Sequence, residues 1–272
     1  MKWGRCSPLN TALGFREIKM NKCWICSEKA ISKEHVIKKS DLVRVFGKGP
    51  YKDDNSIAHV KNGKLKLIQG PDSKAIKYSS SLCHSCNTTL TQPFDRAYDK
   101  FINYVYENEE VIVRKRFIDL VEVFGDDFQE GQCNLYRYFA KSIGCRLVDA
   151  GAGVPLDIVN LLKVRPFQTG LRLNFAVHED ILLLPNNDRD GFIGKSDLNE
   201  WWDKIDPEIF NGYTWAEHVS WLYCNYWYLL EPDGSLGSTW VADSRFLYLG
   251  SCRSLTTDER NTLIKKVQDK KA

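Results

Sequence analysis

The sequence predicts an α+β chain in two parts, a small N-terminal module pinned by four cysteines and a helical stretch that runs into a mixed α+β region. Three observations carry this. Cys23/Cys26 and Cys83/Cys86 form two CxxC pairs. From Pro93, the residues Phe94, Tyr98, Phe101 and Val105 recur at three- and four-residue steps, the spacing of one helix face. After Pro166 the character shifts to extended apolar runs, and six of the eight tryptophans (Trp201, Trp202, Trp215, Trp221, Trp227 and Trp240) fall beyond residue 200. A chain of 272 residues accommodates two domains comfortably.

Taken in order, residues 1–19 show no period and are too polar for a signal peptide, so they read as a flexible, dispensable extension. Met20 stands three residues before the first CxxC pair, and the other methionine is Met1. Residues 20–105 hold both cysteine pairs and form the first domain. Within it, IAHVKNGKLKLI sets an Asn-Gly pair between apolar–polar alternations, the signal of a hairpin with a type I′ turn. The stretch from Pro93 to Phe124 predicts one or two helices. LYRYFAKSIGCRLVDAG predicts another, ending near Gly151 and Gly153, and PLDIVNLLK a short one. Residues 106–272 form the second part. There LRLNFAVHEDILLL and the stretch from Thr239 to Leu249 read as strands, and the aromatics of WAEHVSWLYCNYWYLLE read as core filling rather than as base-stacking platforms. The tail reads as a closing helix that starts at the capping-box pattern Thr-Thr-Asp-Glu.

The chain has nine cysteines, no secretory apolar region and no long apolar run. An odd count, no leader and no long apolar run point to a reducing cytoplasm rather than to a disulfide framework, with no membrane expected as partner. In that setting two CxxC knuckles read as a metal site. Four thiolates from Cys23, Cys26, Cys83 and Cys86 close a tetrahedral shell around a structural Zn2+. His84 lies inside the second knuckle, but the four thiolates already complete the shell. The other cysteines need no role beyond that of small buried apolar residues.

Charge is distributed unevenly. Residues 22–78 carry 13 lysines and arginines against six acids, a net of +7, whereas the whole chain is only +3. Basic character is therefore concentrated around the cysteine module, as expected of a surface that meets phosphates.

The runs CWICSEKAISKEHVIKKSDL (23–42) and SSLCHSCNTTLTQPFDRAYDKF (80–101) set Glu34-His35 between the knuckles, Asn87 directly after the last cysteine, and Asp95 downstream. This order resembles the HNH endonucleases of the ββα-metal, or His-Me finger, fold, and within them the zinc-knuckle branch similar to recombination endonuclease VII. The resemblance covers about residues 20–105. It departs from the pattern at the third signature position, often His, where Asp95 stands here with Asp99 one helical turn on. The resemblance implies a zinc-stabilised ββα module that hydrolyses DNA with a catalytic Mg2+ or Mn2+, His35 as general base, and Glu34, Asn87 and Asp95 as metal ligands. An imidazole titrates near neutral pH and can take a proton from water, while carboxylate and amide oxygens suit a hard divalent ion. It further implies a phage, mobile-element or defence setting, nucleic acid as partner, and a C-terminal part that selects targets or contacts a regulatory partner or a second copy.

Geometry constrains this reading. Neighbours on a regular strand point to opposite faces, so Glu34 and His35 share one site only where the strand ends or bulges. Asp95, in the first turn of a helix, also suits plain stabilisation of the helix dipole. The alternatives are a non-catalytic zinc module that binds nucleic acid or protein, and an RNase with the same site chemistry. One further pattern, Asn186, Asp188, Asp190, Gly191 and Asp197, mimics calcium-loop spacing, but a polar turn between a strand and a helix explains it better.

Overall fold

The computed structural model describes residues 14–16, 21–61, 64–164, 169–231 and 239–269. In chain order the elements are β1 (Phe15–Arg16), β2 (Ser32–His35), α1 (Lys39–Phe46), β3 (Ile57–Lys61), β4 (Lys64–Ile68), β5 (Lys77–Leu82), α2 (Gln92–Glu107) and α3 (Glu109–Lys115). There follow β6 (Phe117–Asp119), α4 (Leu120–Phe124), α5 (Phe128–Asp149), β7 (Val154–Pro155), α6 (Leu156–Leu161) and β8 (Leu171–His178). The last are α7 (Asn186–Asp190), β9 (Ile193–Lys195), β10 (Asn199–Trp202), β11 (Phe210–Val219), β12 (Leu222–Leu229), β13 (Phe246–Cys252) and α8 (Thr257–Asp269).

The chain is α+β, with its large sheet in the C-terminal half. That sheet runs β10-β11-β12-β8-β13-β6, with β9 added to β11. Every pairing in it is antiparallel except β13 on β8. Alternation along β8 and β12 buries every second residue, and Leu171, Leu173, Phe175 and Val177 face the helices with Tyr226 and Tyr228. Of the C-terminal tryptophans, Trp215, Trp221 and Trp240 are buried in this core, whereas Trp202 is exposed.

Helix α5 is the hub. It is buried on nearly all sides, as a helix with apolar residues around its whole circumference must be. On one flank Phe139 packs edge-on against Phe175 and Tyr226 of the sheet, and the Tyr136 hydroxyl donates to the Leu171 carbonyl at 2.7 Å. On the other flank it meets the cysteine module, where a Cβ at Gly144 would lie 2.4 Å from the Trp24 ring. A single hydrophobic core therefore extends from Trp24 to Leu249. Residue 105, the expected end of the first domain, lies inside α2.

The N-terminal module holds two small two-stranded sheets. β2 pairs antiparallel with β5, and β3 with β4. The β3–β4 hairpin has the register expected from its alternation, with Ile57 opposite Ile68 and Lys61 opposite Lys64. Its turn at 62–63 lies outside the described residues, as do Cys6 and Met20. A second, smaller core of Leu42, Tyr51, Ile68 and Ile76 seats the base of the hairpin on α1. The sequence pattern gave no notice of α1. Phe15 and Arg16, in the stretch read as dispensable, pair with β7, and Arg16 donates to the Trp24 and Ile25 carbonyls at 2.9 and 2.8 Å. At the other end, Thr256 and Glu259 form the expected capping box in front of α8. Among the described residues no helix is long and apolar enough to cross a membrane.

Candidate metal centre and its flanking charge network

The two knuckles fold as tight turns that aim their sulfurs inward. The Cys23 carbonyl accepts from the Ser27 N–H at 2.8 Å, with Ser27 in the left-handed region, and the Cys83 carbonyl accepts from the Asn87 N–H at 3.1 Å. The backbone N–H of Trp24 donates to the Ser81 carbonyl at 3.1 Å, which ties the first knuckle to β5. The result is a cluster in which the sulfurs of Cys23, Cys26, Cys83 and Cys86 all lie within 4.8 Å of one another. Four sulfurs at that spacing fit a tetrahedral zinc ion, with metal–sulfur bonds of about 2.3 Å. Burial works to raise the Cys83 thiol, but hydrogen bonds from the Cys86 N–H, at 3.3 Å, and from the neighbouring thiols outweigh it and hold its pKa below the ordinary value. His84 is exposed and lies outside the cluster. Asp188, Asp190 and Asp197 likewise form no metal-holding cluster among the described residues, and Asn186–Asp190 form a short helix.

Between the knuckles, β2 ends at His35 and its pairing with β5 slips on both sides of Lys33. The strand is thus irregular where two neighbouring side chains would have to share a site. Glu34 and His35 nevertheless take different partners. Glu34 points to α5, where its Oε2 lies 3.1 Å from Lys141 Nζ. His35 turns toward the Pro71–Asp72 turn. Its Nε2 is 3.5 Å from Asp72 Oδ1 without forming a hydrogen bond, and the Pro71 carbonyl accepts from the other ring nitrogen. Burial first, and Lys77 second, hold the His35 pKa below its ordinary value, against smaller opposing effects of Glu34, Asp72 and the Pro71 carbonyl. The ring is therefore neutral with a free nitrogen lone pair, the state of a general base.

Asp95 also converges on Lys141. Its two oxygens lie 3.1 and 3.0 Å from Nζ, and Lys38 stands 3.2 Å from Oδ1. Lys141 is only 2% exposed, yet its pKa is raised, because Glu34 and Asp95 outweigh the burial that favours the neutral amine. Lys38 lies over the stacked rings of Tyr98 and Tyr138, at 5.4 and 5.1 Å from their centroids. Asp99, one turn beyond Asp95, accepts from the Ser40 hydroxyl at 2.7 Å. Asn87 donates from Nδ2 to the Ser32 hydroxyl at 2.7 Å. Ser32 lies on β2 two residues before Glu34, so this bond ties Asn87 to the strand that carries Glu34.

Of the four residues expected at a catalytic centre, Glu34 and Asp95 thus meet at one ammonium, Asn87 is tied to the strand of Glu34 through Ser32, and His35 turns toward Asp72. Sequence reasoning missed Lys141 and Lys38. The signal for Lys141 was a lysine directly after the apolar run Tyr138–Ala140, at a position that proves to be buried.

Compared with family models, with curated proteins and with solved structures, the chain matches none at a significant level.

Proposed function

We propose that this protein is a zinc-pinned, metal-dependent endonuclease of the ββα type that hydrolyses DNA phosphodiesters, with His35 as general base. The observation that carries the reading is the order β2–β5–α2 around the four-cysteine cluster, with His35 at the end of β2, an unpartnered Nε2, and Asn87 at the entry to the helix. Zinc binding there is compatible with the four sulfurs. The catalytic ion has hard oxygen donors at hand. Asn87 Oδ1 and Glu34 Oε1 take no protein donor among the described residues, because Asn87 bonds through Nδ2 and Glu34 through Oε2. Glu34 and Asn87 would hold Mg2+ or Mn2+, with Asp95 behind them. Such an ion supplies Lewis-acid stabilisation of the phosphate and of the departing oxygen.

The chain's own residues do the rest. His35 Nε2, buried beside Asp72 and without a hydrogen-bond partner, takes the proton from the attacking water, and the Pro71 carbonyl holds the ring through its other nitrogen. Lys141 and Lys38 place positive charge beside Glu34 and Asp95, which orients both carboxylates.

A second reading, a non-catalytic zinc module that binds nucleic acid, is favoured by one observation. Glu34 and Asp95 already have a full cationic partner in Lys141. Incubation of supercoiled plasmid with the purified protein separates the two. Nicking that requires Mg2+ or Mn2+, and that Asn87→Ala loses, supports the nuclease. No nicking with either ion by a protein that binds the plasmid supports the second reading.

A further inference from the structure

The β3–β4 hairpin has a feature that its fold does not require. Strand alternation puts Ala58, Val60, Leu65 and Leu67 on one face, with Val60 opposite Leu65 and Ala58 opposite Leu67. That face is largely open to solvent: Val60, Leu65 and Leu67 are 61%, 63% and 65% exposed. The other face carries Ile57 and Ile68, which anchor the hairpin to the small core. An isolated two-stranded ribbon is marginal in water, and a bare apolar strip lowers its stability further.

Leu67 also lines an open groove of about 940 Å³ between the hairpin and α1. Val43, Pro71 and Ala75 line it beside Leu67, together with Lys39, Lys48 and Lys74. The acid that lines it, Asp72, is already neutralised by Lys39 and Lys77. Among the described residues Lys48 and Lys74, together with Lys64 and Lys66 on the hairpin, have no ion-pair partner. His35 does not line the groove, but Asp72, which does, lies 3.5 Å from His35 Nε2. Apolar side chains set among ammonium groups without ion-pair partners are complementary to a sugar–phosphate strand. Lysines meet the phosphates, while apolar side chains meet sugars and base edges.

We infer that this groove seats one strand of a DNA duplex along Lys48 and Lys74 and brings it to Asp72, the neighbour of His35, with the exposed face of the hairpin pressed into the adjoining duplex groove. A two-stranded ribbon has the width to enter the major groove. The substrate role of the groove rests on the nuclease reading above, whereas its role in binding does not.

The test is fluorescence anisotropy of a labelled DNA duplex titrated with the zinc-loaded protein without Mg2+ or Mn2+, so that binding is read apart from cleavage. Lys48→Ala/Lys74→Ala is expected to weaken binding about tenfold at moderate salt and to reduce the slope of log K against log salt by roughly 2, one phosphate contact per lysine. Leu65→Ser/Leu67→Ser is expected to weaken binding several-fold with the slope unchanged. Both pairs are exposed, and circular dichroism confirms that each variant is folded. Wild-type affinity in both variants overturns the proposal. So does a leucine variant that binds DNA normally but changes the sedimentation coefficient, because the strip would then be covered by a second copy of the chain. Loss of binding in the variants with no cleavage by the wild type would retain the groove and reject the nuclease.

Discussion

Replacing Lys141 by methionine probes the junction between the cysteine module and the rest of the chain. The ammonium is 2% exposed and lies 3.0–3.1 Å from Glu34 Oε2 and both Asp95 oxygens. Methionine fills a similar volume but leaves two carboxylates facing each other. Breaking a buried pair by removing one partner costs about 3–5 kcal/mol, most of it from the charge left behind. Here the Glu34 and Asp95 side chains keep 21% and 25% of their surface in water, and Lys38 stays 3.2 Å from Asp95. The expected loss is therefore at the lower end of the range, about 3 kcal/mol. Urea denaturation of the zinc-loaded protein at neutral pH reads it as a fall in the midpoint at constant slope. The triple variant Glu34→Gln/Asp95→Asn/Lys141→Met, which removes every charge of the cluster, is expected to recover most of the loss. Added Mg2+ is expected to restore part of it in the single variant, increasingly with concentration, as a ligand of the folded state must. A loss below about 1 kcal/mol, the magnitude of a surface pair, would refute the reasoning.

Other consequences follow from the same geometry. Cys83→Ser is expected to release zinc and melt the N-terminal module, because binding energy in such a site is folding energy; full zinc content with an unchanged Tm contradicts this. Gly144→Val puts side-chain atoms into the Trp24 ring and is expected to cost about 1–3 kcal/mol by overpacking, read as a lower Tm; an unchanged Tm would show that the first knuckle is not clamped by α5. Burial keeps His35 neutral in the folded chain, so the unfolded chain takes up the proton first. Its contribution to stability is then present above its ordinary pKa of 6.5 and is lost as pH falls below it. The acid limb of cleavage is accordingly expected below that value, and titration of the His35 ring protons by NMR checks both statements; a midpoint at or above 6.5 contradicts them.

Much of the module was legible in the sequence because its signals are local. CxxC spacing fixes a knuckle whatever surrounds it, and an Asn-Gly between alternating residues fixes a hairpin. The helix from Pro93 and the closing helix with its capping box were legible for the same reason. Long-range contacts were not. Nothing near Glu34 or Asp95 in the chain announces Lys141, which arrives from a helix 46 residues beyond Asp95. Helix α5 was legible as a helix, but nothing in its local pattern announced that both flanks would be buried and make it the hub. Asp72 reaches His35 through a turn that carries no motif. Phe15 and Arg16 read as dispensable because two residues of strand leave no period, yet Arg16 bonds the first knuckle.

The central claim, that His35 is the base of a metal-dependent nuclease, is tested most directly by cleavage of supercoiled plasmid with Mg2+ or Mn2+, wild type beside His35→Ala. The account predicts nicked or linear product from the wild type alone, with zinc content and duplex affinity equal in the two proteins. Equal cleavage by both, or loss of zinc and folding in His35→Ala, would contradict it.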